Sequence, residues 1–325
     1  VLTRTRLRRI VFSQRIRLKE TNVPEPIIET HGLTVFYGRH RGIIDVDLAI
    51  REGEVFGFLG PNGAGKTTAM RVLLDIIRPT RGEATIFGMD CQQEGVEIRR
   101  RTGYIPGELS FYEALTGGRF LTMIDRMRGN RTDPHYRREL FDRLQFDPDR
   151  RIREYSSGNR RKLGLVTAMM HQPELLILDE PTLGLDPLVV QTVLQLVNEA
   201  REQGRTAFFS SHVLSDVQSV CDRVGIIRQG RIIEVGEVDA LTTQPFHRLR
   251  FVLERDPPED AFGYAGVIEK GRIDHEIELE VHENLEAVLG EALDYGVIDL
   301  ETHPVTLEEV FLAYYGGEGK GAEDA

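Results

Sequence analysis

The residues best equipped to do chemistry lie together in one stretch, Gly60, Pro61, Asn62, Gly63, Ala64, Gly65, Lys66, Thr67 and Thr68. Glycines at 60, 63 and 65 let backbone amides curl around anionic oxygens at φ values that other residues resist. Lys66 adds a cation, and Thr67 adds a hydroxyl suited to a hard metal ion. The spacing is that of a P-loop, a glycine and four residues followed by Gly-Lys-Thr. It implies a bound nucleoside triphosphate, with Lys66 on the β and γ oxygens and Thr67 on Mg²⁺. Such a loop must leave a strand and open a helix. Glu54–Leu59 reads as that strand, and Lys66 to about Ile77 as a helix stopped by Pro79. The positive end of the helix faces the same phosphates.

A metal held on phosphate needs an acidic partner on a neighbouring strand. Leu175-Leu-Ile-Leu178 supplies the strand, and Asp179-Glu180 ends it. Asp179 is the expected Mg²⁺ ligand, and Glu180 the general base or polariser of an attacking water. By itself, an acidic pair after an apolar strand could be no more than a solvated strand end. The P-loop upstream gives it the metal role.

With these residues in order, positions 30–240 resemble the nucleotide-binding subunit of an ABC transporter. The resemblance implies roles for further residues. Tyr155-Ser156-Ser157-Gly158-Asn159 resembles the ABC signature, whose loop closes over ATP held by the other subunit. Ser156, Ser157 and Gly158 would donate to phosphate, and the helix from Arg160 would add its dipole. Gly184-Leu185-Asp186 resembles the D-loop that couples two sites across a dimer. His212, at the end of the strand Thr206–Phe209, matches the switch histidine of the γ-phosphate. Tyr37 matches the aromatic that stacks on adenine.

Two departures stand out. The family glutamine expected after Gly103-Tyr104-Ile105-Pro106 is replaced by Gly107, followed by Glu108. Glycine has no side chain to ligate with, so either Glu108 substitutes or the metal keeps an extra water. In the signature, Ser157 replaces a usual glycine and Asn159 a usual glutamine.

The elements that must position these residues follow from the rest of the chain. Strands and helices alternate from Ile27 to about Gln244, which predicts an α/β fold with a largely parallel sheet. The implied fold is a P-loop NTPase of the ABC type over 27–244, with a helical subdomain over about 108–172. After Pro245 the pattern changes. Leu249, Phe251 and Leu253 alternate with polar neighbours, as do Ile277, Leu279 and Val281, and both runs read as half-buried strands. Leu285, Val288, Leu289 and Leu293 form a helical stripe closed by Gly296. Thr306 and Glu309 form a capping box for a last helix with Val310, Phe311 and Tyr314. This is a small α+β domain over 245–316, followed by a tail over 317–325 expected to be disordered. Its Val297–Pro304 and Thr306–Phe311 segments resemble the end of ATPases serving ABC-2 type exporters, including those for drugs and sodium.

Residues 1–26 read as a basic extension with arginines at 4, 6, 8, 9, 15 and 17. Leu7, Ile10, Val11 and Leu18 fall near one helical face there. A membrane-surface helix, a solvated tail and an unused upstream start all fit this segment. The 325 residues are 40% hydrophobic and 29% charged, as in an ordinary globular chain. A net charge of −11 argues against nucleic acid as a partner. Cys91 and Cys221 have no metal or redox spacing and read as reduced. No apolar run approaches the roughly 18 residues that cross a bilayer.

The resemblance therefore implies a cytosolic ATPase with ATP and Mg²⁺ as cofactors, peripheral at the membrane. It would pair head to tail with a second ATPase subunit and drive a separate membrane-spanning permease that exports. The alternatives are a soluble ABC ATPase on ribosomes or DNA and a nucleotide-dependent scaffold that does not hydrolyse. The first usually carries two ATPase domains or a long coiled-coil insertion, and neither is present. Glu180 and His212 argue against the second.

Overall fold

Two long strands, β1 (Pro26–Tyr37) and β2 (His40–Arg51), fold back on each other through a tight turn at Gly38, whose φ is 61°. The computed structural model describes residues 26–242, 246–258, 260–303 and 307. The basic extension up to residue 25 and most of the expected last helix lie outside these residues. The chain then enters β3 (Val55–Leu59) and α1 (Lys66–Leu73), followed by β4 (Arg81–Ile86) and the short β5 (Met89–Asp90). Strands β2, β1, β4 and β5 form an antiparallel sheet in that order. Alternation of strands and helices predicts a largely parallel sheet and misses this one. The register of β1 against β2 shifts at several points, which breaks the two-residue period that marks an antiparallel strand.

The second sheet is the expected one. After α2 (Gly95–Arg101) and β6 (Thr102–Ile105) come three subdomain helices, α3 (Gly117–Met127), α4 (Pro134–Arg143) and α5 (Ser157–Met169). Then follow β7 (Leu175–Asp179), α6 (Pro187–Glu202), β8 (Thr206–Ser211), α7 (Leu214–Val220), β9 (Arg223–Arg228), β10 (Arg231–Glu237) and α8 (Val238–Thr242). The six strands lie in the order β10-β9-β3-β8-β7-β6, parallel except for the β9–β10 hairpin. Every residue of β3 and β7 is buried, which is why both read as continuous apolar runs. Alternate side chains serve opposite faces. Phe56, Phe58, Ile177 and Phe208 pack with α1 and the antiparallel sheet. Val55, Leu59, Leu178 and Phe209 pack with α5, α6 and α7.

Side-chain caps begin the three subdomain helices. Thr116, Asp133 and Ser156 accept from the amides of Arg119, His135 and Asn159. Behind α5, burial and the neighbouring Arg128 lower the pKa of His171 from 6.5 to about 4. The neutral ring nitrogen Nε2 lies 2.8 Å from Arg128 Nη1. Protonation therefore favours the unfolded chain, so stability should fall as pH drops from about 6.5 toward 4. His171→Asn should flatten that part of the curve of melting temperature against pH.

The C-terminal unit contains β11 (His247–Leu253), β12 (Val267–Ile273), β13 (Glu276–Val281), α9 (Leu285–Asp294) and β14 (Val297–His303). Its sheet has the order β12-β13-β11-β14 and is antiparallel. Leu249, Phe251, Leu253, Ile277, Leu279 and Val281 meet Val288 and Ala292 in a core of their own. Strands β12 and β14 are exposed along most of their length, so neither shows the alternating burial that marks β11 and β13. Beyond β14, Leu307 is fully buried in the core of the larger unit, and its amide donates to Gln218 Oε1 over 3.3 Å. Among the described residues, no helix is long and apolar enough to cross a membrane.

Candidate active site

Four loops meet beyond the carboxyl ends of adjacent parallel strands, where ligands of open α/β sheets bind. They follow β3, β8, β7 and β6, and carry Gly60–Thr68, His212, Glu180 and Gly107 respectively.

The loop after β3 is built by close approaches. A Cβ at Gly60 would meet the Ile227 carbonyl oxygen at 2.5 Å. At Gly65, whose φ is 115°, it would meet Ile43 Cγ2 at 2.7 Å. Gly65 also begins α1 without a side-chain cap, so the first amides of the helix need another acceptor. They border a cavity of about 290 Å³ lined by Pro61, Asn62, Gly63, Gly65, Lys66, Thr67 and Thr68, together with Tyr37, Arg41, Gly42 and Glu180. Tyr37 is half exposed at the rim, with its hydroxyl 3.4 Å from Thr68 Oγ1, so its ring is free to stack on a flat ligand. Ala64 is buried behind the loop.

Lys66 is buried and donates to the Gly60 carbonyl over 2.5 Å, and it lies 3.1 Å from Glu180 Oε1. The other Glu180 oxygen lies 2.7 Å from His212 Nδ1. Glu180 sits at φ 52°, in the left-handed region, which turns its carboxylate from the strand end into the cavity. The result is a row of lysine, carboxylate and imidazole. His212 also borders a second cavity of about 310 Å³, which shares Pro61 and Asn62 with the first.

Asp179 is fully buried. Its Oδ1 accepts from Ser210 Oγ at 2.8 Å, and its Oδ2 accepts from Thr67 Oγ1 at 2.7 Å and from the Gly107 amide at 3.2 Å. Among the described residues, no group of three or more His, Cys, Asp or Glu could cage a metal. Asp179 and Thr67 together offer hard oxygens from two residues only. That suits a Mg²⁺ ion that takes its remaining ligands from phosphate and water.

Gly107, in place of a glutamine, faces this pair. A Cβ there would lie 3.1 Å from Asp179 Oδ2 and 4.0 Å from Thr67 Oγ1. Glu108 is exposed. Arg161, the fifth residue of α5, is buried and donates to the Pro106 carbonyl at 2.9 Å and to the Gly107 carbonyl at 2.8 Å. Burial lowers its pKa, while Asp179 and Glu180 act against that shift.

The signature and D-loop residues lie outside the 290 Å³ cavity. Ser156 caps α5, Ser157 is exposed, and a Cβ on Gly158 would come within 3.1 Å of the Gly184 carbonyl. Asp186 caps α6 by accepting from the Val189 amide. These two loops of one chain therefore touch each other, away from the nucleotide cavity of the same chain. Sequence reasoning overlooked Ser210 and Arg161. Ser210 lies next to the end of β8, directly across from Asp179 on β7, a pairing that the local sequence does not state. Arg161 left no signal, because nothing in the local sequence brings α5 against the loop after β6.

Residues 43–183 match the family model described as ABC transporter. The chain is 37% identical over 234 residues to the bacitracin transport ATP-binding protein BcrA of Bacillus licheniformis, covering 70% of this chain and 75% of the relative. The chain belongs to the ABC transporter ATP-binding family. This ATP-binding subunit is also 36% identical to the daunorubicin/doxorubicin resistance ATP-binding protein DrrA of Streptomyces peucetius, covering 67% of each chain. Among solved structures, it resembles an ATP-binding subunit of an ABC transporter at 30% identity and a TM-score of 0.60. That match covers 66% of this chain and 91% of the other. ATP is thus the nucleotide of the family and the ligand expected in the cavity.

Proposed function

We propose that this subunit binds Mg²⁺-ATP and hydrolyses it to power export through a separate membrane-spanning permease. The observation that carries the reading is the row Lys66–Glu180–His212 beside the Thr67–Asp179 pair. Lys66 and the loop amides bind the triphosphate, and Thr67 and Asp179 hold the metal ion, which neutralises phosphate charge when present. Glu180 takes a proton from the attacking water, and His212 orients Glu180 and senses the γ-phosphate. Tyr37 stacks on the base.

Two such chains pair head to tail. Ser156, Ser157 and Gly158 of each then donate to the phosphates held by the other, while Asp186 lies at the junction between the two sites. ATP closes the pair because its γ-phosphate gains donors from both chains, and hydrolysis releases it. The names of BcrA and DrrA, one for bacitracin transport and one for drug resistance, support an export role at the cytoplasmic face of the membrane. The segment 107–130 is the proposed permease contact. It exposes Tyr112 and Met127, and a groove of about 770 Å³ runs beside it, lined by Val96, Arg100, Ile124 and Arg131 among others.

Phosphate release by the purified chain with Mg²⁺ and ATP is the direct test. His212→Ala should lower turnover by roughly 10²-fold or more while nucleotide binding persists. Full activity in that variant would remove His212 from the mechanism.

A further inference from the structure

The glutamine that resemblance leads one to expect at the metal site is absent, yet the loop after β6 is not loose there. The Gly107 amide donates to Asp179 Oδ2 at 3.2 Å, on the same oxygen that takes the Thr67 hydroxyl. The Gly107 carbonyl, on the next peptide unit, accepts from Arg161 at 2.8 Å, and the Pro106 carbonyl accepts from it at 2.9 Å. Arg161 is only 5% exposed, so its guanidinium has little water to fall back on. A planar cation with two forked donors fixes a pair of carbonyls far better than a single donor could.

We infer that Arg161 is a positioning residue for the metal carboxylate, holding the Gly107 amide on Asp179 in place of a side-chain link from position 107. This rests on the reading of Asp179 and Thr67 as the Mg²⁺ pair. A bare position 107 is part of the device. A Cβ would sit 3.1 Å from Asp179 Oδ2, tighter than most such contacts, so a side chain at 107 would press on the carboxylate that the amide holds. The same contact ties the metal site to the N-terminal half of the signature helix in the same chain. Opening or closing of that helix therefore reaches the metal through backbone rather than through a flexible glutamine.

The test is a Mg²⁺ titration of binding of a fluorescent ATP analogue to the full chain, repeated in EDTA and paired with a melting curve. Arg161→Gln should raise the Mg²⁺ concentration at half-saturation about tenfold, the low end for a residue that orients a metal ligand. Affinity in EDTA should hold, and Arg161→Lys should recover part of the loss. Gly107→Ala approaches the same bond from its other side and should shift the Mg²⁺ curve with Arg161 intact. A lower melting temperature with an unchanged Mg²⁺ curve in both variants would reduce Arg161 to a packing role and overturn the inference alone. If the unaltered chain binds the analogue equally well with and without Mg²⁺, the metal-site reading fails and the inference falls with it.

Discussion

Glu180→Gln is expected to leave ATP binding intact and to slow phosphate release by roughly 10²- to 10⁴-fold, the range for loss of a general base. The carboxamide keeps the shape of Glu180 and can still meet Lys66 and His212, which lie 3.1 and 2.7 Å from the carboxylate oxygens. It cannot take a proton from water. If ATP closes a pair of chains, blocked hydrolysis should hold that pair together. Light scattering should then show twice the monomer mass with ATP and Mg²⁺, and the monomer with ADP. Hydrolysis at the unaltered rate would refute the role given to Glu180, while slow hydrolysis without dimerisation would refute the head-to-tail arrangement.

Lys66→Ala should abolish measurable turnover and weaken ATP binding by something on the order of 10- to 100-fold, as expected when one or two charge-assisted hydrogen bonds disappear. The buried position of Lys66 is what makes the effect large. The ammonium has the Gly60 carbonyl and Glu180 as partners, so its loss is felt in the loop itself. Removing the lysine also takes away the cation nearest to Glu180, and a largely buried carboxylate without that cation is costly. The variant should therefore melt at a lower temperature even without nucleotide. Titration of ATP against both chains, followed by fluorescence, checks the first claim, and calorimetry checks the second. Unchanged affinity together with unchanged phosphate release would end the assignment.

Much of this site was legible in the sequence because its parts are local. A P-loop is a run of consecutive residues, and its strand and helix flank it directly, so spacing alone reveals it. Asp179 and Glu180 were legible because the apolar run Leu175–Leu178 of β7 leads straight into them. What escaped depends on elements crossing far apart in the chain. Ser210 reaches Asp179 only because β7 and β8 are neighbours, and Arg161 meets the Gly107 carbonyl across a separation of 54 residues. The missing side chain at position 107 was visible, but not that its amide had taken up a bond to Asp179. The antiparallel sheet was lost for another reason: bulges in β1 blur a pattern that depends on strict alternation.

Leu307 changes how the C-terminal unit should be pictured. After Thr242 the chain builds a sheet with its own core, and beyond β14 it returns to bury Leu307 in the core of the larger unit, its amide on Gln218 of α7. Two points of attachment restrain a body far more than one, so the small unit is a strap rather than a pendulum. Deleting the unit would take away that leucine and its bond to Gln218, on the very helix that follows His212.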